Sequence, residues 1–294
     1  MTNARNHEHL DALRARARKI RLLATDLDGT LLNRKHELTG ANRAALTACA
    51  EKGLVVCTAT GRSYSSIPQE IAGLDGMRYL ITANGAKIYD AVSRDILYES
   101  YLSEEAVAYV RPFLTDKEVL CEYFWDGKPH VEEARYHGAA DYGIPFWFSD
   151  YFLASRVPTP DFDAAIQVHA KEIENINFVF AADDVKERVG AFLRQREDLY
   201  ELTTSLAFNF EIGGKGVSKA AAVDFIAGRE GIRPEETITF GDNSNDASML
   251  RFGGIGVATA NAVPDAIEAA DYVTEDNEHD GVAKALAALG MIDK

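Results

Sequence analysis

Asp26-Leu27-Asp28-Gly29-Thr30 sets two carboxylates at the close of an apolar run, Ile20 to Ala24, broken only by Arg21. The run is short enough to be a buried strand. Once the strand has ended, a turn at Gly29 can bring both acids toward one opening. Carboxylates placed there repel each other and need a cation, a proton or a partner. A hard cation such as Mg²⁺ takes oxygen ligands and suits such a pair. One carboxylate could then bind metal and attack while the other moves a proton. The plainer reading is a surface turn, since Asp and Gly are common turn residues.

Three further clusters carry groups of the same chemistry: Thr60-Gly61-Arg62, Lys219, and Gly241-Asp242-Asn243-Ser244-Asn245-Asp246. Four acids, a lysine, a threonine and an asparagine at one edge suit metal-assisted phosphoryl transfer. The acids would hold Mg²⁺, and the hydroxyl, the ammonium and nearby N–H groups would take the non-bridging phosphate oxygens. Alone, each has a simpler role. Thr60 could cap a helix, Lys219 could lie on a solvated helix face, and Asp242 and Asp246 could be acids at a helix start. Arg62 could pair with an exposed acid. Their joint order and strand-end placement favour the chemical reading.

The elements needed to bring them together are legible as a βα rhythm. Leu38 to Lys52 reads as a helix stopped at Gly53, Leu54 to Cys57 as a strand, and Ser63 to Ala72 as a helix. Tyr79 to Thr82 reads as a third strand that turns at Ala83-Asn84-Gly85. Short loops between alternating strands and helices imply right-handed crossovers and a doubly wound, parallel, Rossmann-like α/β sheet. Ligands of such sheets sit beyond the carboxyl ends of the strands. The rhythm lapses at a hairpin over Lys87 to Tyr101 and resumes at Gly216. The mixed strands and helices between predict an inserted α+β domain over 89–211. The core is then 20–88 and 212–294, with an N-terminal extension over 1–19, a short helix or a frayed end.

The net charge of −15 argues against a general nucleic-acid binder, which needs a basic face, and against adhesion to anionic lipid. A phosphorylated small molecule remains open, because a bound cation can reverse the local sign. Cys49, Cys57 and Cys121 are odd in number and far apart, as expected of reduced thiols in a cytoplasmic protein. No apolar run reaches membrane-span length, and the N-terminal segment has no hydrophobic signal core. The insert concentrates aromatics, among them Tyr123, Phe124, Trp125, Tyr136, Phe146, Trp147, Phe148, Tyr151 and Phe152. These either fill the insert's own core or form a floor for a sugar, a base or another subunit. His130, His137 and His169 lack metal-ligand spacing.

With these residues in view, the chain resembles the haloacid dehalogenase superfamily, and within it the Cof-type phosphatases with a large α+β cap. The four clusters match its four motifs. The likeness extends to Ile81-Thr82-Ala83-Asn84-Gly85, Asn261-Ala262 and Asp280-Gly281-Val282-Ala283. One departure is Thr259, where that pattern usually has Met. The resemblance implies that Asp26 is a nucleophile forming an aspartyl-phosphate and that Asp28 is the general acid and base. It further implies that Asp26, Asp242 and the main-chain carbonyl of Asp28 bind Mg²⁺, with Asp246 supporting from the edge. Thr60, Gly61, Lys219 and Asn245 would hold phosphate, and Asn84 and Arg62 would reach the substrate. The activity implied is hydrolysis of small phosphorylated metabolites, sugar phosphates or a phosphorylated cofactor. A phosphomutase would use the same nucleophile but need a second phosphate site, and the cap shows no extra basic cluster for one. A binding module without chemistry would be expected to have gaps in this set of acids. The cap should close over the site, with Gly85 and Gly213-Gly214-Lys215-Gly216 as hinges. Oligomeric state is not encoded in any of these features.

Overall fold

The computed structural model describes the backbone of residues 2–293 and the side chains of residues 9–145 and 148–293. Its strands are, in chain order, β1 (Leu22–Thr25), β2 (Val55–Ala59), β3 (Met77–Thr82), β4 (Lys87–Asp90), β5 (Ile96–Glu99), β6 (Val119–Trp125) and β7 (Lys128–Glu132). Then come β8 (Val157–Thr159), β9 (Asn175–Phe180), β10 (Tyr200–Thr203), β11 (Asn209–Gly214), β12 (Thr237–Gly241), β13 (Ile255–Ala258) and β14 (Tyr272–Val273). They form two sheets. The first has order β14-β13-β12-β1-β2-β3-β4-β5 and the second β10-β11-β9-β6-β7-β8.

In the first sheet β14 through β3 are parallel, and β4 alone is reversed, pairing antiparallel with both β3 and the edge strand β5. Its central strands are apolar on both faces because helices cover both. Leu23 and Val56 pack with Leu46 and Leu286 on one side. Leu22 and Ala24 pack with Val223 and Ile226 on the other. β1 lies between β2 and β12, so strand order reverses at the strand that leads into Asp26. This is the expected doubly wound α/β core, with an α+β cap inserted between β5 and the helix Lys219–Glu230.

The details differ in instructive places. The hairpin β4–β5 extends the first sheet, so residues 89–99 lie with the core rather than the insert, and β11 carries the second sheet to Gly214. Ser63–Ala72 is not one helix: a 3-10 turn over Tyr64–Ser66 and a single turn over Gln69–Ala72 flank Pro68. Proline lacks an N–H and disfavours helical geometry in the residue before it, here Ile67. The N-terminal segment is a helix, Thr2–Ala17, and Leu13 and Ala17 are buried in the core. Arg16 fixes it further by bonding Asp271.

The cap sheet has two unlike faces. Tyr123, Ile176, Phe178, Phe210 and Ile212 pack under helices that include Glu104–Val110 and Asp183–Leu193. On the opposite face Leu120, Val131 and Val179 pack with Phe148 and Phe152, while Glu122, Asn177 and Glu211 lie in cross-strand register.

Candidate active site

Parallel pairing of β1 with β12 places the residues just past them side by side, and the Asp26 N–H still bonds the Phe240 carbonyl at 3.0 Å. Asp26 and Asp242 therefore emerge together. The next turn needs glycine: Gly29 has φ +81°, and a Cβ there would stand 2.3 Å from Asp242 Oδ2. Thr30 donates to Asp242 Oδ1 at 2.8 Å, a contact not foreseen from sequence.

Lys219 opens the helix Lys219–Glu230, capped by Ser218, and is 1% exposed. Its Nζ donates to Asp26 Oδ1 and Asp246 Oδ1, both at 2.6 Å. The other oxygen of Asp246 accepts from the backbone N–H groups of Asp242 and Asn243, each at 3.0 Å. Asp246 thus orients the Asp242 loop while sharing the lysine with Asp26.

Oxygens of Asp26, Asp242 and Asp246 lie within 4.8 Å of one another, and all three residues are buried. One ammonium faces three carboxylates. Burial raises Asp26 well above the usual carboxylate range; Lys219 opposes this, and Asp246 and Asp242 add to it. Burial, then the charge of Asp246, pushes Asp242 up to about 7. Hard oxygen donors with unbalanced negative charge fit a small divalent cation such as Mg²⁺.

The carboxylate of Asp28 points elsewhere. Arg62 grips it with two bonds, Nε to Oδ2 at 2.7 Å and Nη2 to Oδ1 at 2.6 Å, and His36 Nδ1 lies 2.9 Å from Oδ1. Burial alone would raise this acid, but the guanidinium outweighs it and, with His36, holds Asp28 well below the usual range. Arg62 is thus committed to an acid of the opening motif, rather than standing free for a ligand. Tyr151 of the cap covers the pair, its ring 4.7 Å from the Arg62 guanidinium carbon and stacked 5.4 Å from His36.

Thr60 is 1% exposed, and its hydroxyl accepts from the Arg62 N–H at 3.1 Å. Asn84 has φ 57° and bonds its N–H to the Thr60 carbonyl. Its side chain links both lobes: it donates to Glu211 of β11 and accepts from Asn245 at 3.0 Å. A Cβ on Gly61 would meet Asn84 Oδ1 at 3.2 Å. Asn245 Oδ1 is buried without a hydrogen-bond partner.

All ten residues expected from sequence therefore meet at one end of the first sheet, on the wall of a cavity of about 620 Å³ or directly behind it. Others there were not anticipated: Thr30, His36, Arg156, Asn177, Asn209 and Glu211. The last three alternate with apolar neighbours along β9 and β11, the period of a sheet with two different faces, and that signal was available. The aromatics divide. Tyr123 and Phe152 are core, whereas Phe124, Phe148 and Tyr151 also line the cavity; Phe146 and Trp147 lie outside the described side chains. His130 stacks on Trp125 at 3.6 Å and joins no metal-ligand group among the described residues.

Comparison with known proteins gives a consistent picture. A family model described as haloacid dehalogenase-like hydrolase matches residues 23–286. The chain is 31% identical over 271 residues to the Bacillus subtilis protein named 5-amino-6-(5-phospho-D-ribitylamino)uracil phosphatase YcsE, covering 91% of this chain and 94% of that one. It is 30% identical over 295 residues to phosphatase YwpJ of Bacillus subtilis, covering 92% and 100%. Among solved structures, the HAD subclass IIB sugar phosphatase BT4131 matches with a TM-score of 0.76 and 29% identity, over 92% of this chain and 100% of that one.

Proposed function

The chain belongs to the haloacid dehalogenase-like hydrolase family and is a phosphatase; from that premise we propose that it hydrolyses small phosphorylated metabolites through an aspartyl-phosphate, with Mg²⁺. The observation that carries this reading is the meeting of the buried Asp26, Asp242 and Asp246 within 4.8 Å, on and directly behind the wall of a cavity that cap residues also line. The names of a ribitylaminouracil phosphatase and a sugar phosphatase among its relatives support the substrate class.

Asp26 Oδ2 attacks phosphorus while Lys219 holds Oδ1 in place. Thr60, Gly61, Lys219 and Asn245 present donors to the non-bridging oxygens. Asp28 protonates the leaving oxygen and then removes a proton from the attacking water. Arg62 and His36 favour the ionised form needed in that second step, so uptake of a proton before the first requires their grip to loosen. Asp26 and Asp242 would hold Mg²⁺ with the main-chain carbonyl of Asp28, and Asp246 would brace them. The chemistry supplied by the bound ion is neutralisation of the carboxylates and of the phosphate oxygens.

The lobe over 101–214 acts as the cap, and 20–100 with 215–293 as the core that the N-terminal helix joins. Among the described residues no helix is long and apolar enough to cross a membrane. The three cysteines are free and buried, with Cys57 and Cys121 pushed up to about 12 by burial. Inert thiols of this kind fit a reducing, cytoplasmic setting, and no nucleic-acid or membrane partner enters the reading.

The test is release of phosphate from 4-nitrophenyl phosphate with Mg²⁺. Asp26→Asn should abolish turnover while the fold persists, and undiminished turnover in that variant rejects the mechanism.

A further inference from the structure

The cap sheet turns a row of polar side chains toward the cavity. Glu122 of β6 pairs in register with Asn177 of β9, which pairs with Glu211 of β11. These residues are 0%, 6% and 5% exposed, which is unusual for such side chains unless their charges are matched. Glu122 is matched: Arg156 Nη2 lies 3.0 Å from Oε2 and Nε 3.3 Å from Oε1, and Asn177 donates to it at 3.3 Å. Arg156 is in turn enclosed by the rings of Phe148, Tyr151 and Phe152, at 5.1 to 5.7 Å. This ion pair is electrically closed.

Glu211 is not. Its partners are neutral: Asn209 Nδ2 at 2.9 Å, the Ser205 hydroxyl and the Asn84 amide. It lines the cavity beside the phosphate loop, with Oε2 only 3.4 Å from where a Cβ on Gly61 would stand. A carboxylate has about four acceptor positions, and three donors leave it able to accept another. The cations of the cavity wall do not balance it. Arg62 is held by Asp28, Arg156 by Glu122, and Arg34 stands at the exposed rim on the core side. The cap's half of the cavity therefore carries one net negative charge, beside the phosphate loop at Gly61.

We infer that Glu211 selects the leaving group: it accepts hydrogen bonds from hydroxyl or amino groups close to the phosphoester and repels leaving groups that carry a second anion. The class of substrate is then a monophosphate of an uncharged, hydroxyl-rich alcohol. Bisphosphates and phosphorylated carboxylic acids are disfavoured. This rests on the phosphatase reading above and adds to it a residue and a sign of charge. A hydroxyl donor lost from a charged acceptor weakens recognition by roughly 10- to 100-fold. A like charge brought beside Glu211 in a buried cavity is penalised in the same sense.

The test measures kcat/KM for ribitol 5-phosphate, 3-phosphoglycerate and 4-nitrophenyl phosphate, with wild type and Glu211→Gln. Wild type should prefer ribitol 5-phosphate to 3-phosphoglycerate by at least about tenfold. In Glu211→Gln the ratio of ribitol 5-phosphate to the aryl ester should fall by about 10- to 100-fold, and the ratio of 3-phosphoglycerate to the aryl ester should rise. A merely structural role for Glu211 would lower all three together, and that result overturns the inference. Equal use of ribitol 5-phosphate and 3-phosphoglycerate by wild type overturns it even if the variant fails to fold. In either case turnover of the aryl ester leaves the phosphatase reading standing, whereas its absence in wild type removes both.

Discussion

At the scale of single residues, one buried ammonium governs the site. Lys219 is in contact with Asp26 and Asp246, and its removal would leave buried carboxylates without their cation. Breaking a buried ion pair from one side costs about 3–5 kcal/mol. Lys219→Met should lower stability to chemical denaturation by about that much in chelator, and Mg²⁺ should restore part of it. A variant as stable as wild type in chelator would contradict this. The titration of Asp242 gives a second prediction. Its folded pKa, about 7 through burial, lies above the ordinary carboxylate value. The folded state therefore binds the extra proton between the two values, and this group's contribution to stability declines as pH rises from about 4 through about 7. A cation must displace that proton. The rise in melting temperature produced by Mg²⁺ should then be larger at pH 8 than at pH 5.5, and a pH-independent rise would refute the assignment. Asp28 has the opposite sign, because Arg62 holds it low. Its contribution is intact above the ordinary carboxylate value and is lost on acidification below it.

At the scale of elements, the turn after β1 does what no side chain could do alone. Gly29→Ala would have to hold φ near +81° and place a methyl 2.3 Å from Asp242 Oδ2. Backbone strain of that kind costs about 1–3 kcal/mol, and relief by moving Asp242 disperses the acids. The variant should melt lower and lose activity by at least about 100-fold, since a displacement of an ångström at a reacting group has that effect. Turnover within a few-fold of wild type would show that the turn has slack. The same element shows why much of the site was legible in the sequence. Strand, carboxylate, turn and glycine follow one another within ten residues, and so do Phe240, Gly241 and Asp242. What escaped notice depends on distance along the chain. The Arg62–Asp28 grip spans 34 residues and the Asn84–Glu211 bond 127, and neither leaves a local period. Short cap elements such as Glu133–His137 and Phe162–Val168 were also missed, because a helix of two turns or less has too few positions to display an apolar face. Pro68 could have been read as the break in Ser63–Ala72, and Glu211 as one member of an alternating strand.

At the scale of the molecule, the question is what joins cap to core. The outgoing crossing is one residue wide: the Ser100 N–H bonds Ala86 of the core, and the Leu102 N–H bonds Ile173 of the cap. The return passes beside it, since a Cβ on Gly214 would stand 2.7 Å from the Tyr101 carbonyl oxygen. The return segment is the Gly213-Gly214-Lys215-Gly216 stretch expected as a hinge, and the other residue expected there, Gly85, lies outside both crossings. Gly85 instead seats the Ser218 carbonyl, from which a Cβ would be 2.4 Å away, and so lets the Lys219 helix approach. Across the junction Lys87 of β4 reaches Glu174 of the cap at 2.9 Å, with side chains 7% and 0% exposed. Glu174 also accepts from the Gly127 N–H at 2.8 Å. Lys87→Met would leave that carboxylate buried with a single neutral donor, a loss of about 3–5 kcal/mol. Lys87→Met with Glu174→Gln removes the orphaned charge together with its partner and should be less destabilised than Lys87→Met alone. Because the pair bridges the lobes and neither member lines the cavity, scanning calorimetry of Lys87→Met should show the cap melting earlier while Mg²⁺ still protects the core. Strictly additive effects in the cycle, or one unmoved transition, would mean that the junction is held by its backbone crossing and not by this ion pair.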